Sequence, residues 1–152
     1  MAIYTWYIKK FEDLSAFELY HIIQLREDVF IVEQDCPYLD ADGKDLDSAH
    51  IFATDQSGSV VATSRLLPPG LSYSESSIGR VCNSKLHRGK KLGQIMMEKS
   101  VEYLTTQFDS DIRISAQVYL DKFYSDLGFK ATGKTYLEDD IPHMEMLYPS
   151  KL

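Results

Sequence analysis

Near its start the chain runs "IYTWYI" (3–8), β-branched and aromatic residues in close succession, which predicts a strand. The pattern then changes period. "LSAFELYHIIQLREDVFIVEQ" (14–34) carries apolar residues at helical spacing, and Ser15 with Glu18 three positions on forms a capping box, so one long helix is predicted. Residues 35–47 show no period; Pro37, Gly43 and five aspartates against the single Lys44 predict an acidic loop. "HIFATD" and "SVVATSRLL" alternate on either side of "QSG", as a hairpin does, "PPG" interrupts, and "SIGRVCNS" (77–84) resumes the alternation. Helical spacing returns at Leu92, Ile95, Met96, Tyr103 and Leu104. "DIRISA" (111–116) reads as a buried strand, "YLDKFYSDLGF" as a short helix closed by Gly128, and "HMEMLY" (143–148) as a final alternating strand. The predicted order is β, α, βββ, α, β, α and one or two last strands. The central strand–helix–strand unit (77–116) implies a mixed sheet with helices on its faces.

Composition narrows what such a fold does. At 152 residues the chain has the length of one domain (1–152), and 44% apolar with 26% charged residues is ordinary for a packed protein. The net charge of -7 argues against broad binding to nucleic acid, which needs many cations to displace counterions, so any anion site must be local. Cys36 and Cys82 lack the spacing of a disulfide framework or metal knuckle and suggest a reducing, cytoplasmic compartment. No apolar run approaches the ~20 residues of a membrane span, and the N-terminus lacks a signal peptide's layout. "DADGKD" imitates a calcium loop, but with Gly43 at that motif's sixth position Tyr38 falls at the first and Ala49 at the twelfth, where carboxylates are needed. No metal is expected.

The local anion site is easy to find. "KLHRGKKLGQIMMEK" (85–99) places Lys85, His87, Arg88, Lys90 and Lys91 around Gly89 and Gly93, directly after an apolar strand and before an amphipathic helix. Helix N-termini leave backbone N–H groups unpaired at the positive end of the peptide dipoles, and glycine admits a close ligand, so the expected guest is a pyrophosphate. Neither the P-loop nor the dinucleotide fingerprint is present.

At this turn the chain resembles the GNAT superfamily of acetyl-CoA-dependent N-acyltransferases, whose signature [QR]-x-x-G-x-[GA] reads "RGKKLG" here, Arg88 first and Gly93 last, with Lys91 in place of the fourth-position glycine. "LREDVFIVEQDCPYLDADGKDLD", "IGRVCNSKLHRGKKLGQ", "FYSDLGF" and "DDIPHMEM" extend the resemblance to the ElaA-like branch of small bacterial proteins. The resemblance implies an α/β (α+β) fold, a mixed and mostly antiparallel sheet splayed between its fourth and fifth strands with helices on both faces. It also implies acetyl-CoA as co-substrate, the backbone of Val81, Cys82 and Asn83 holding the pantetheine arm and acetyl carbonyl. The N–H groups of Arg88, Gly89, Lys90, Lys91, Leu92, Gly93 and Gln94 would hold the pyrophosphate.

Acetyl transfer to an amine needs a donor for the developing oxyanion, a proton for the departing thiolate and a base. A backbone N–H of "GRVCN" meets the first need if the strand is distorted, and Val81 is the candidate. A phenol near pKa ~10 stays protonated beside a thiol near ~8.5 and suits the second. By resemblance that phenol is Tyr124 of "FYSDLGF", although Leu120, Phe123, Tyr124 and Leu127 also have the spacing of a packed helix face. Glu33, His50, Glu75, His143 and Glu145 are the base candidates, His21 reads as a packed or surface residue, and Cys82 as a small apolar strand residue and not a nucleophile. Six carboxylates between Glu33 and Asp47, with "LEDD" (137–140), either attract a cationic acceptor or are a solvated loop. The acceptor expected is a small-molecule or peptide amine, the chain a monomer or homodimer, and the competing reading a non-catalytic acyl-CoA sensor or interaction domain.

Overall fold

A computed structural model describes residues 3–150. One seven-stranded sheet runs through it in the order β1-β2-β3-β4-β5-β7-β6. The strands are β1 (Thr5–Lys10), β2 (Ala49–Thr54), β3 (Val60–Leu67), β4 (Ser76–Asn83), β5 (Ile112–Gln117), β6 (Lys130–Glu138) and β7 (Ile141–Tyr148). Three helices accompany them: α1 (Ala16–Arg26), α2 (Leu92–Gln107) and α3 (Asp121–Asp126). Every pairing is antiparallel except β4 with β5.

The mixed, mostly antiparallel sheet with α1 and α2 on opposite faces matches the predicted class. Strand alternation sends neighbouring side chains to opposite sides. Ser64 of β3 thus meets Ser100 of α2, while the adjacent Arg65 meets the acidic loop and, through it, Arg26 of α1. The main core lies under α2, where Leu92, Met96, Met97 and Leu104 pack against Ile51, Val61, Leu66, Ile78 and Ile112. A smaller cluster under α1 joins Leu25 and Val29 to Cys82.

Two elements differ from their prediction. The helix begins as expected, Ser15 Oγ accepting from the Glu18 amide at 3.0 Å and Glu18 returning the bond to the Ser15 amide at 2.8 Å. It does not run on as one α-helix: after Arg26 the chain widens into a π-helical stretch, Glu27–Glu33. β-branched Val29, Ile31 and Val32 lie in this stretch, where their stiff χ1 disfavours regular α-helical packing. The chain also ends in two strands. β6 is exposed along nearly all its length, broken by a register shift between Ala131 and Thr135 and by Gly133 at φ 94°, so no alternation marks it in the sequence.

The acidic loop is the larger correction. Three of its aspartates are the internal counter-charges of three arginines. Arg26 pairs with Asp40 (2.9 Å) and Asp45 (2.8 Å), Arg65 with Asp42 (2.7 Å) and Asp45 (3.2 Å), and Arg80 with Asp40 (2.8 Å). The loop is therefore not solvated throughout: Asp35 and Asp47 stay exposed, but Asp40, Asp42 and Asp45 are held by arginines. It ties α1 to β3 and β4.

This network makes stability depend on pH. Burial pushes the Asp42 carboxyl up, but the hydrogen bond from Arg65 and the charges of Arg65 and Arg80 outweigh it and bring it down to about 2. Asp45 is lowered in the same way, burial being outweighed by Arg26 and Arg65. Burial lowers His50, whose Nε2–H donates to the Asp45 carbonyl at 3.1 Å, below its ordinary 6.5. Each of these folded-state values lies below its unfolded counterpart, so the unfolded chain takes up protons first as pH falls, and stability is lost in that direction. Thermal melts should show Tm level near neutrality, declining below 6.5 as His50 contributes, and falling steeply once pH passes below 3.8. A Tm that rises on acidification would refute this assignment of the network.

Candidate active site

Parallel strands that diverge leave a gap no ladder fills. β4 and β5 pair only at Ser76↔Ile112 and Ser77↔Arg113 and then part. A cavity of ≈ 440 Å³ opens there, walled by Gly79, Arg80 and Val81 of β4, Ile114 and Ser115 of β5, Tyr124 of α3, and Glu138, Ile141 and His143 from the β6–β7 hairpin.

The distortion sought in β4 is present. Against β3 the register moves from Thr63↔Cys82 to Arg65↔Gly79, so Ser64 faces two residues, Arg80 and Val81. Arg80 sits at φ 51°, in the left-handed region that few non-glycine residues occupy. The extra residue inverts the alternation. Ile78 and Cys82, four apart and thus on one face of a regular strand, lie in the two clusters on opposite faces.

At the far end of β4 the chain turns through Gly89 (φ 83°) and Lys91 (φ 60°, ψ 21°) into α2. Lys91, standing where the signature has glycine, adopts the left-handed conformation glycine takes freely, at a cost of about 1–2 kcal/mol. α2 has no side-chain N-cap, and its first backbone bond runs from the Ile95 amide to the Lys91 carbonyl. The amides of Leu92, Gly93 and Gln94 therefore have no helical acceptor. A Cβ at Gly93 would come within 3.4 Å of Asn83 Nδ2, and the buried Asn83 Oδ1 has no protein partner among the described residues. Open amides, a turn narrowed to glycine and an orphaned polar atom are features that a polar, phosphate-bearing chain laid along β4 would satisfy. The Arg88 side chain does not point to this opening alone: its guanidinium is held by Glu33 (2.6 and 2.8 Å) and bonds the Asn83 carbonyl at 3.2 Å.

Tyr124 is only 8% exposed, and its hydroxyl makes no hydrogen bond to a described residue. Burial, with the nearby Tyr119, pushes it up to about 12, so it is a protonated donor at any physiological pH. Cys82 is 5% exposed and its thiol is likewise pushed up by burial to about 12, which leaves it inert as a nucleophile.

Of the five base candidates, His143 alone lines the cavity. Its Nδ1–H donates to the Ile141 carbonyl at 2.7 Å, Nε2 lies 3.2 Å from Glu138, and Tyr136 stacks on the ring. Glu75 and Glu145 both hold Arg113 (2.7 and 2.6 Å), Glu33 holds Arg88, and His50 is buried in β2 at 1% exposure. His21 lies on α1 beside Phe17 and Gln24, away from the cavity. The sequence reading missed Arg80, Tyr38 and Glu138. A signal for Arg80 existed: Arg65 and Arg80 each stand within a strand of small and apolar residues, and arginines placed there demand carboxylates, which the loop supplies.

Comparison with known proteins agrees with this architecture. A family profile described as "Acetyltransferase (GNAT) domain" matches residues 42–148. Protein ElaA of Escherichia coli is 40% identical over 144 residues, covering 93% of this chain and 94% of the relative, and a UPF0039 protein of Synechocystis is 37% identical over 145 residues, covering 95% and 94%. The crystal structure of an acyl-CoA N-acyltransferase from Pseudomonas aeruginosa superposes with TM-score 0.90 at 40% identity, covering 95% of this chain and 99% of that one. That of E. coli ElaA gives 0.89 at 38%, with the same coverages.

Proposed function

This chain belongs to the GNAT acetyltransferase family, alongside the ElaA proteins, and from that premise we propose that it transfers the acetyl group of acetyl-CoA directly to a primary amine of a small-molecule or peptide acceptor. The observation that carries the reading is the convergence on one cavity of a bulged strand and a buried phenol that has no hydrogen-bond partner among the described residues. Acetyl-CoA supplies the activated thioester. The open amides of Leu92, Gly93 and Gln94, with the turn from Arg88 to Lys91, hold its pyrophosphate, and the backbone of Val81, Cys82 and Asn83 lines its arm. The Val81 N–H, displaced from the ladder by the bulge, donates to the carbonyl oxygen as negative charge develops there. The Tyr124 hydroxyl gives its proton to the departing sulfur. The Glu138 carboxylate, which lines the cavity and lies 3.2 Å from His143 Nε2, is the group through which the amine's proton drains, directly or through water, with His143 holding it in place. No helix among the described residues is long and apolar enough to cross a membrane, and both cysteines are free thiols, which supports a cytoplasmic setting.

A screen of acetyl-CoA consumption against amines, peptides and aminoglycosides tests the reading, with Arg88→Glu as control. The wild type should acetylate at least one amine class, and the variant, which sets a carboxylate against Glu33 and the phosphate site, should raise the KM for acetyl-CoA about tenfold or more. Saturable CoA binding without transfer to any amine would favour the sensor reading.

A further inference from the structure

The bulge in β4 needs a reason to sit at Arg80. Packing on either side of it demands one extra residue, since Ile78 and Cys82 are buried on opposite faces, yet that demand does not say which residue absorbs it. Arg80 is a costly choice because its φ of 51° is strained for a side chain bearing a Cβ. Its guanidinium is held from several sides. Nε lies 2.8 Å from Asp40 Oδ1, Nη2 donates to the Asp40 carbonyl at 3.0 Å and approaches Asp42 at 3.5 Å, and the Tyr38 ring packs 5.5 Å away. The anchor is itself rigid: Asp40 is 6% exposed, and its other oxygen lies 2.9 Å from Arg26, which is 1% exposed and gripped by Asp45.

We propose that the Asp40–Arg80 ion pair is a clamp that places the β4 bulge at residue 80 and so aims the Val81 N–H into the cavity, making Arg80 and Asp40 positioning residues for acetyl transfer. The proposal rests on the reading of Val81 given above. Through it the acidic loop acts on the reaction from outside the reacting atoms. α1, by way of Arg26, braces the strand that carries the donor.

Glycine separates this role from its rivals, because it adopts positive φ without a clamp. In Arg80→Ala the left-handed conformation loses its support, and kcat should fall about tenfold, the equivalent of its conformational cost. Arg80→Gly should turn over about tenfold faster than Arg80→Ala, with equal CoA affinity in both. Asp40→Asn should slow the wild type but not the Arg80→Gly background. Equal kcat in the alanine and glycine variants, whether both slow with a raised acceptor KM or both at the wild-type rate, would overturn the clamp. The HN–Hα three-bond couplings and ¹³Cα shift of residue 80, with the ¹³Cβ shift in the wild type and Arg80→Ala, give a readout that needs no turnover. Positive φ retained in the wild type and Arg80→Gly but lost in Arg80→Ala supports the clamp even if no amine is ever acetylated, and positive φ retained in Arg80→Ala refutes it.

Discussion

Tyr124→Phe should lower kcat by about 10²-fold or more, the ordinary contribution of a positioned general acid, while leaving the KM for acetyl-CoA near the wild-type value. The hydroxyl is the only atom removed. Because it makes no hydrogen bond to a described residue, the variant loses no protein contact there, and its Tm should stay close to wild type. The ring keeps its edge-on packing against Phe123 and Phe129. With the phenol pushed up to about 12, the wild-type rate should show no alkaline limb from this residue near neutrality. Steady-state kinetics with one identified acceptor decides the matter: turnover equal to wild type would remove Tyr124 from the chemistry and return it to the packed helix face whose spacing it shares.

Asp45→Ala should destabilise the fold by about 3–5 kcal/mol, the typical cost of stripping a buried ion network of one partner. Asp45 accepts from Arg26 at 2.8 and 3.2 Å and from Arg65 at 3.2 Å, and the side chains of those arginines are 1% and 5% exposed. Removing it leaves two buried cations short of charge, and Tm should drop on the order of 10 °C for a chain of this size. Asp47→Ala is the control. It lies two residues on, is exposed and makes no ion pair with a described residue, so its melt should match wild type. Coincident melts for the two variants would mean that the loop is solvated after all and that the network contributes nothing net.

Much of the fold was legible because its cues are local. The Ser15–Glu18 box, the Gly128 helix end and the alternation of β2 to β4 each depend on residues within one or two turns of chain. β6 was not, since an edge strand exposed on both sides has no buried face to impose a period. The site divides in the same way. The basic turn and Tyr124 could be picked out by motif. Which of five base candidates faces the cavity could not, because Glu33, Glu75 and Glu145 are engaged by Arg88 and Arg113, partners 32 to 55 residues away in the chain.

By itself the sequence determined the order of elements, the basic, glycine-containing turn that opens α2 and the family, all of which follow from short-range pattern and residue chemistry. Only the tertiary structure decided what the acidic loop does, where β4 bulges and which side chains share the cavity. Those outcomes depend on charges and strands far apart in the chain meeting at hydrogen-bond distance, and spacing along a sequence does not encode a separation in space.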